Sequence, residues 1–225
     1  KKIQALGKPV VLVLLTGSAV SINWENEHIP AIIEAWYPGQ AAGTAIADVL
    51  FGDYNPAGRL PVTFYKSVSQ LPSFEDYNIT TQTYRYFKGD VLYPFGYGLS
   101  YSAFQYDNLK MNDQYKAGDS VHLYVNVKNT GSRDGDEVIQ VYVSDKNGKY
   151  HVPIRALKAF KRIHLQPGET KTVGLVLRTE AFSVINDKNE RMILPGKFDI
   201  AVGGGQPDEK IKSSGNILKT SIDLK

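Results

Sequence analysis

The hydrophobic positions of this chain change period partway along it. In PVVLVLL, residues 9–15, apolar side chains run unbroken over the length of a strand. Such a run predicts a strand covered on both faces, as in parallel sheets flanked by helices. The preceding IQAL and Gly7 read as a helix end with its left-handed stop, and Thr16-Gly17-Ser18 as a strand-to-helix turn. A second strand is expected in AIIEAWY, residues 31–37. Ala42, Ala45, Ile46, Val49 and Leu50 then fall at helical spacing with Gly52 beyond them, and LPVTF, residues 60–64, reads as a third strand. After residue 105 the period becomes two. Val121, Leu123, Val125 and Val127 alternate with His122, Tyr124, Asn126 and Lys128, and the pattern returns at Ile139, Val141, Val143 and at Val173, Leu175, Leu177. NTGSRDGD, SDKNGK, QPGE, NDKNE and LPGK are turn signals between these stretches.

These periods predict an α/β part followed by an all-β part. Residues 1–83 read as an incomplete doubly wound parallel sheet, 84–105 as an aromatic-rich connector, and 106–225 as an immunoglobulin-like β-sandwich of about seven strands. A doubly wound sheet normally has about five or six strands. With two or three, Val10–Leu15 would lie at an open edge, so the first part is expected to be the closing portion of a larger α/β domain.

Composition narrows the function classes. Hydrophobic residues make up 42% and charged residues 22%, which is a folded rather than a disordered balance. The net charge of +3 is too small to argue for nucleic acid. It is uneven, with seven Lys/Arg against eight Asp/Glu in residues 1–105 and nineteen against fifteen in 106–225. The chain has no cysteine, which removes disulfides and thiolate chemistry. No apolar run approaches the ~20 residues of a membrane span. No secretion signal precedes the first strand, which carries little weight in a chain expected to start inside a larger protein.

Candidate chemistry is sparse. His28, His122, His151 and His164 lack metal-ligand spacing, and His122 falls on the polar face of its strand. Gly203-Gly204-Gly205 has no following Lys-Ser/Thr and reads as a hairpin turn, so a nucleotide-binding domain is not supported. Ser18 follows a strand but lacks the G-x-S-x-G elbow of a nucleophile. Glu25 and Glu27, in NWENEH, could serve glycosidic chemistry, but a helix start also favours negative charge. Arg155, Lys158, Lys161 and Arg162 form a basic strip beside Phe160, read as a solvated face rather than a nucleic-acid or glycan site. Asn78-Ile79-Thr80 matches a glycosylation acceptor. Residues 84–106 hold nine of the 25 aromatics. They either stack on sugars, with Tyr84, Arg85, Tyr86 and Phe87 in front, or pin a nonregular segment across a junction; pinning is the simpler reading. Phe95 and Phe104, which lack a polar tip, are its expected anchors.

AWYPGQAAGTAIADVLFGDYNPAGRLPVTF, TYRYF and PFGYGLSY, in this order, resemble the C-terminal part of glycoside hydrolase family 3. NTGSRDGDEVIQVYVSD, LKAFKRIHLQPGE and PGKFDIAVGG are similar to that family's fibronectin type III-like domain. The resemblance implies a retaining, exo-acting β-glycosidase that removes terminal β-linked glucose or xylose. The short spacing from TYRYF to PFGYGLSY leans to the β-xylosidase branch. It also implies that residues 52–61 form a structural joint, and that the aspartate nucleophile and glutamate acid/base lie upstream of Lys1. No catalytic, cofactor or metal residue is therefore assigned, and the chain alone is expected to be inactive. The parent would be periplasmic or secreted, with a β-linked oligosaccharide as substrate and neither nucleic acid nor membrane as partner. The competing reading is a stand-alone carbohydrate- or protein-binding module.

Overall fold

The computed structural model describes residues 1–112, 114–148, 150–207 and 215–225. Residues 9–15 yield one strand, β1 (Val11–Leu14), paired in parallel with β2 (Ala31–Glu34). The crossover contains the short helix α1 (Asn23–His28), and α2 (Ala42–Phe51) follows β2. Gly52 stops α2 at φ 83°, in the left-handed region that side chains disfavour, and Gly7 ends the opening 3-10 turn at φ 70°.

Within this chain β1 is not covered on both faces, since Val11 is 46% exposed, Leu12–Leu14 are only half-buried, and Leu15 just beyond the strand is 57% exposed. Two short strands and two short helices do not have the surface to bury each other.

LPVTF is not a third parallel strand. Pro61 has no N–H to give a ladder, and residues 60–64 instead run beside the aromatic connector. Leu60 N–H donates to Tyr97 O, Gly96 N–H to Leu60 O and Phe64 N–H to Tyr93 O, at 2.8, 2.7 and 2.9 Å. Phe64 and Tyr93 form an isolated antiparallel bridge, and the Phe64 ring is 1% exposed. A single turn of helix, α3 (Thr83–Tyr86), opens the connector.

The period-two half folds as expected into two packed antiparallel sheets. One contains β3 (Phe104–Lys110), β5 (Val121–Asn129) and β8 (Thr170–Leu177), in the order β3-β5-β8. The other contains β4 (Gln114–Tyr115), β6 (Gly135–Asp145), β7 (Ala156–Leu165), β11 (Gly196–Gly203) and β12 (Leu218–Leu224), in the order β4-β12-β11-β6-β7. Among the described residues of these two sheets, only the short β4–β12 pair is parallel. A small hairpin of β9 (Ser183–Ile185) and β10 (Arg191–Ile193) stands apart from both. Val121, Leu123, Val125 and Val127 are all fully buried, facing Ile139, Val141, Ile200 and Val202 of the second sheet within one cluster. Alternation thus places each apolar set against the other, as aligned sandwich packing requires.

β6 departs from simple alternation. Its inward residues Ile139, Val141 and Val143 enter the core, yet Gln140 and Tyr142 on the outer face are also buried, at 2% and 1% exposure. The connector covers them, which joins the two halves of the chain.

Candidate functional site

The turn after α2 is where the two halves are fastened. Asn55 donates from Nδ2 to Asp134 O at 2.8 Å, while its Oδ1 accepts from Ser100 Oγ and Tyr101 N–H, both at 2.8 Å. Arg133 Nη1 answers from the sandwich by donating to Gly52 O at 3.0 Å. Tyr54 OH accepts from Arg162 Nη2 at 2.7 Å.

Arg59 goes deepest. Its guanidinium donates to Ala57 O, Gly58 O and Gly204 O, and Nη2 meets Glu137 Oε2 at 2.8 Å with side-chain exposures of only 7% and 0%. Glu137 lies on β6 in the same inward row as Ile139 and Val141, a charge at a core position. Its other oxygen accepts from Tyr106 OH of β3 at 2.6 Å. Burial first, and then the Glu137 carboxylate, push the Tyr106 phenol well above its ordinary range, so it stays a donor. The pair is the kind that only complete hydrogen bonding makes tolerable in a dry site.

A second contact crosses the outer face of β6. Gln140 Nε2 donates to Gly96 O and Gly204 O at 3.0 and 3.1 Å, and Tyr142 OH donates to Gln140 Oε1 at 2.6 Å. Gly96, at φ 77°, lies so close that a Cβ would sit 2.3 Å from Gln140 Oε1. Tyr84 stacks on Phe95 with centroids 4.1 Å apart and meets Tyr142 edge-on at 6.2 Å. Ile154 N–H donates to Arg85 O at 2.7 Å, and Leu157 N–H to Tyr84 OH at 3.2 Å. The segment therefore pins the α/β half onto the sandwich. Its anchors differ from expectation in one respect: Phe104 is a core residue, whereas Phe95 is only half-buried and stacks on Tyr84.

The other sequence candidates are scattered. Glu25 and Glu27 lie on α1, where the His28 ring stacks on Trp24. Ser18 accepts a hydrogen bond from Thr16 Oγ1 at its backbone carbonyl. His122 is on the exposed face of β5, and His151 stacks on Tyr86 at 5.4 Å. His164 Nδ1 lies 2.8 Å from Asp136 Oδ1. Gly203, Gly204 and Gly205 are buried rather than at a hairpin tip, and part of the connection beyond them, 208–214, lies outside the described residues. Asn78 Oδ1 accepts from Thr80 N–H and Oγ1, closing a local turn on the surface.

The basic strip does not form one solvated face. Arg162 pairs with Asp136, its Nε donating at 2.6 Å. Lys158 is partly desolvated, and burial followed by Arg85 and Arg191 lowers its pKa. Arg155 borders a cleft on the connector side, whereas Lys161 borders a shallow groove between β7 and β8. The bulge that shifts register between Val141 and Tyr142 divides the strip.

Two arrangements carried no clear sequence signal. At the C-terminal ends of β1 and β2, where open α/β sheets place ligands, Glu34 accepts from Thr16 Oγ1 and from Trp36 N–H at 3.0 Å. Trp36 itself takes the left-handed conformation, φ 53°, with its ring edge-on to Phe64. The second is the cleft of about 170 Å³ between Thr63, Tyr84, Phe87–Val91, Pro94, Arg155 and Gln206.

Comparison with known proteins accounts for this two-part layout. Residues 1–101 match the model of the glycosyl hydrolase family 3 C-terminal domain, and residues 137–206 that of the fibronectin type III-like domain. The chain is 43% identical over 216 residues to a xylan 1,4-beta-xylosidase of Xylanibacter ruminicola, covering 94% of this chain and 24% of that protein. It is 40% identical to a periplasmic beta-glucosidase of Salmonella typhimurium, covering 89% of this chain and 28% of that protein. A solved beta-glucosidase from Listeria innocua, in complex with gluconolactone, superposes with a TM-score of 0.84 at 33% identity, over 99% of this chain and 31% of that one. The chain thus spans about a quarter to a third of the proteins it matches.

Proposed function

This chain belongs to glycoside hydrolase family 3, as its C-terminal region, and on that premise we propose that it is the accessory portion of a retaining, exo-acting β-glycosidase. The parent hydrolyses terminal non-reducing β-D-xylosyl or β-D-glucosyl residues, with xylosides preferred. Its nucleophile and acid/base are carboxylates outside these residues, working through a covalent glycosyl-enzyme intermediate. Within the parent, residues 1–83 close an α/β domain, and the sandwich braces it through Arg59–Glu137 and the aromatic connector. The parent works in the periplasm or outside the cell.

One observation carries this reading: the apolar strand β1, with Val11 and the adjoining Leu15 about half exposed, sits in a two-part architecture whose relatives are several times longer. Such a strand needs further elements on its faces. The carboxylates present also fit an accessory role, since Glu137 is locked by Arg59 and Tyr106, and Glu34 by Thr16 and Trp36.

The test uses a longer gene product that contains this chain. Treated with a 2-deoxy-2-fluoro-β-D-xylosyl or -glucosyl fluoride, it should be labelled on a peptide outside residues 1–225. A label on Glu25, Glu27 or Glu34 would overturn the assignment, and so would a longer product inert to both aryl β-xylosides and β-glucosides.

A further inference from the structure

The cleft beside the connector is built unlike the rest of the joint. Its floor is buried and polar: Thr63 and Gln206 are 8% and 7% exposed, with the buried Pro94 of the connector beside them. Its mouth, Lys88-Gly89-Asp90, is exposed. Thr63 Oγ1 and Gln206 Oε1 are buried without a hydrogen-bond partner among the described residues. Elsewhere in the joint the buried Gln140 and Tyr142 are engaged, and Arg85 Nε is the other buried side-chain atom without a partner among the described residues, away from the cleft lining. Two unpartnered polar atoms on one floor would each cost about 1–3 kcal/mol if nothing met them.

The chemistry of the lining selects a ligand class. The Thr63 hydroxyl can both donate and accept, and the Gln206 carbonyl oxygen accepts, so the occupant must present O–H or N–H donors as well as acceptors. A fully deprotonated oxyanion such as sulfate offers no donor to Gln206 Oε1. Lys88, Arg155 and Asp90 surround the space with both signs of charge, which again favours a neutral polar molecule. The rings of Tyr84 and Phe87 add apolar wall. The space of about 170 Å³ is large enough for a ring-sized molecule.

The geometry points to a binding site for a single neutral polyhydroxylated molecule of the pyranose class, seated on Thr63 and Gln206 between the two halves of the chain. It does not rest on the hydrolase assignment, because it uses no group from outside residues 1–225. A ligand there touches Tyr84 and Pro94 of the connector together with Arg155 of the sandwich, so occupancy would tighten the joint.

The experiment is a titration of the ¹⁵N-labelled chain with methyl β-D-xylopyranoside and methyl β-D-glucopyranoside, followed by NMR, with inorganic phosphate as a separate arm. Saturable shifts confined to the amides of Thr63, Lys88–Val91 and Gln206 are expected with a glycoside. Thr63→Val and Gln206→Leu, which keep volume, should each weaken that affinity roughly ten-fold, one hydrogen bond's worth. Should either variant fold poorly, Lys88→Ala at the exposed mouth provides the check and should weaken binding while leaving the fold intact. No saturable shift with either glycoside, saturation by phosphate alone, or glycoside binding unaffected by these variants overturns the site.

Discussion

Replacing Arg59 with methionine should be among the most destabilising single changes in the chain. The guanidinium is 7% exposed, the Glu137 carboxylate it meets at 2.8 Å is fully buried, and neither is solvated enough for water to take over. Removing one member of such a pair typically costs about 3–5 kcal/mol, because the remaining charge stays in a low-dielectric site. The bonds to Ala57 O, Gly58 O and Gly204 O would be lost as well. Set against the ~5–15 kcal/mol of a folded domain, that is a large share. In a urea titration with a slope of about 2–3 kcal/mol/M, the midpoint should fall by roughly 1–2 M.

The discriminating arm is the triple variant Arg59→Met, Glu137→Leu, Tyr106→Phe. It removes both charges and the phenol that would otherwise lose its acceptor, leaving apolar groups of similar size. Apolar replacement of a complete buried pair is often neutral or better, so most of the lost stability should return. An Arg59→Met protein within about 0.5 kcal/mol of the parent, the range of an exposed ion pair, would mean that Glu137 is not left as an uncompensated buried charge. A triple variant as weak as the single one would place the cost in lost packing rather than in that charge.

Other outcomes follow from the same geometry. Gly96→Ala should lower thermal stability markedly and loosen the joint, since its Cβ would meet Gln140 Oε1 and Tyr142 OH at a φ of 77°; limited proteolysis near residues 84–98 reads this out. Phe104→Ala, in the core, should cost about 3–5 kcal/mol by chemical denaturation, whereas half-buried Phe95→Ala should cost about 1–2, mainly through its stack on Tyr84. Desolvation raises the pKa of Asp136, but hydrogen bonds from His164 and Arg162 outweigh it and hold the carboxyl below its usual value. Its contribution is therefore complete above the unfolded pKa of about 3.9 and lost as pH falls through the lower folded value, so Asp136→Asn should flatten the acid limb of the stability profile. Neutralising Arg155, Lys158, Lys161 and Arg162 together should reduce stability measurably in thermal melts, because Arg162 is tied to Asp136 and Tyr54.

Much of this fold was legible where burial is decided locally. Period-two alternation in residues 121–127 and 139–143 required one face inward, and the facing sheets supply it. The helix at 42–51 and its glycine stop were equally plain. LPVTF misled because an apolar run of strand length says nothing about its partner, and Pro61 excluded the ladder that the pattern implied. The joint was half visible. Residues 52–61 stood out as an unusual turn, and Glu137 in the apolar parity of β6 was a signal that a charge had to be met inside. Its partner, 78 positions earlier, could not be read from local pattern. The floor of the cleft was invisible for the same reason, since Thr63 and Gln206 meet only through the tertiary fold.

The claim that this chain braces a glycosidase without itself carrying the reaction is tested most directly by assaying the purified 225 residues on 4-nitrophenyl β-D-xylopyranoside and 4-nitrophenyl β-D-glucopyranoside. Double displacement needs two positioned carboxylates, and here Glu34 and Glu137 are committed to Thr16 and Trp36 and to Arg59 and Tyr106. No nitrophenol release above the buffer rate is expected on either substrate. Turnover by this chain that is abolished by Glu25→Gln would contradict the claim.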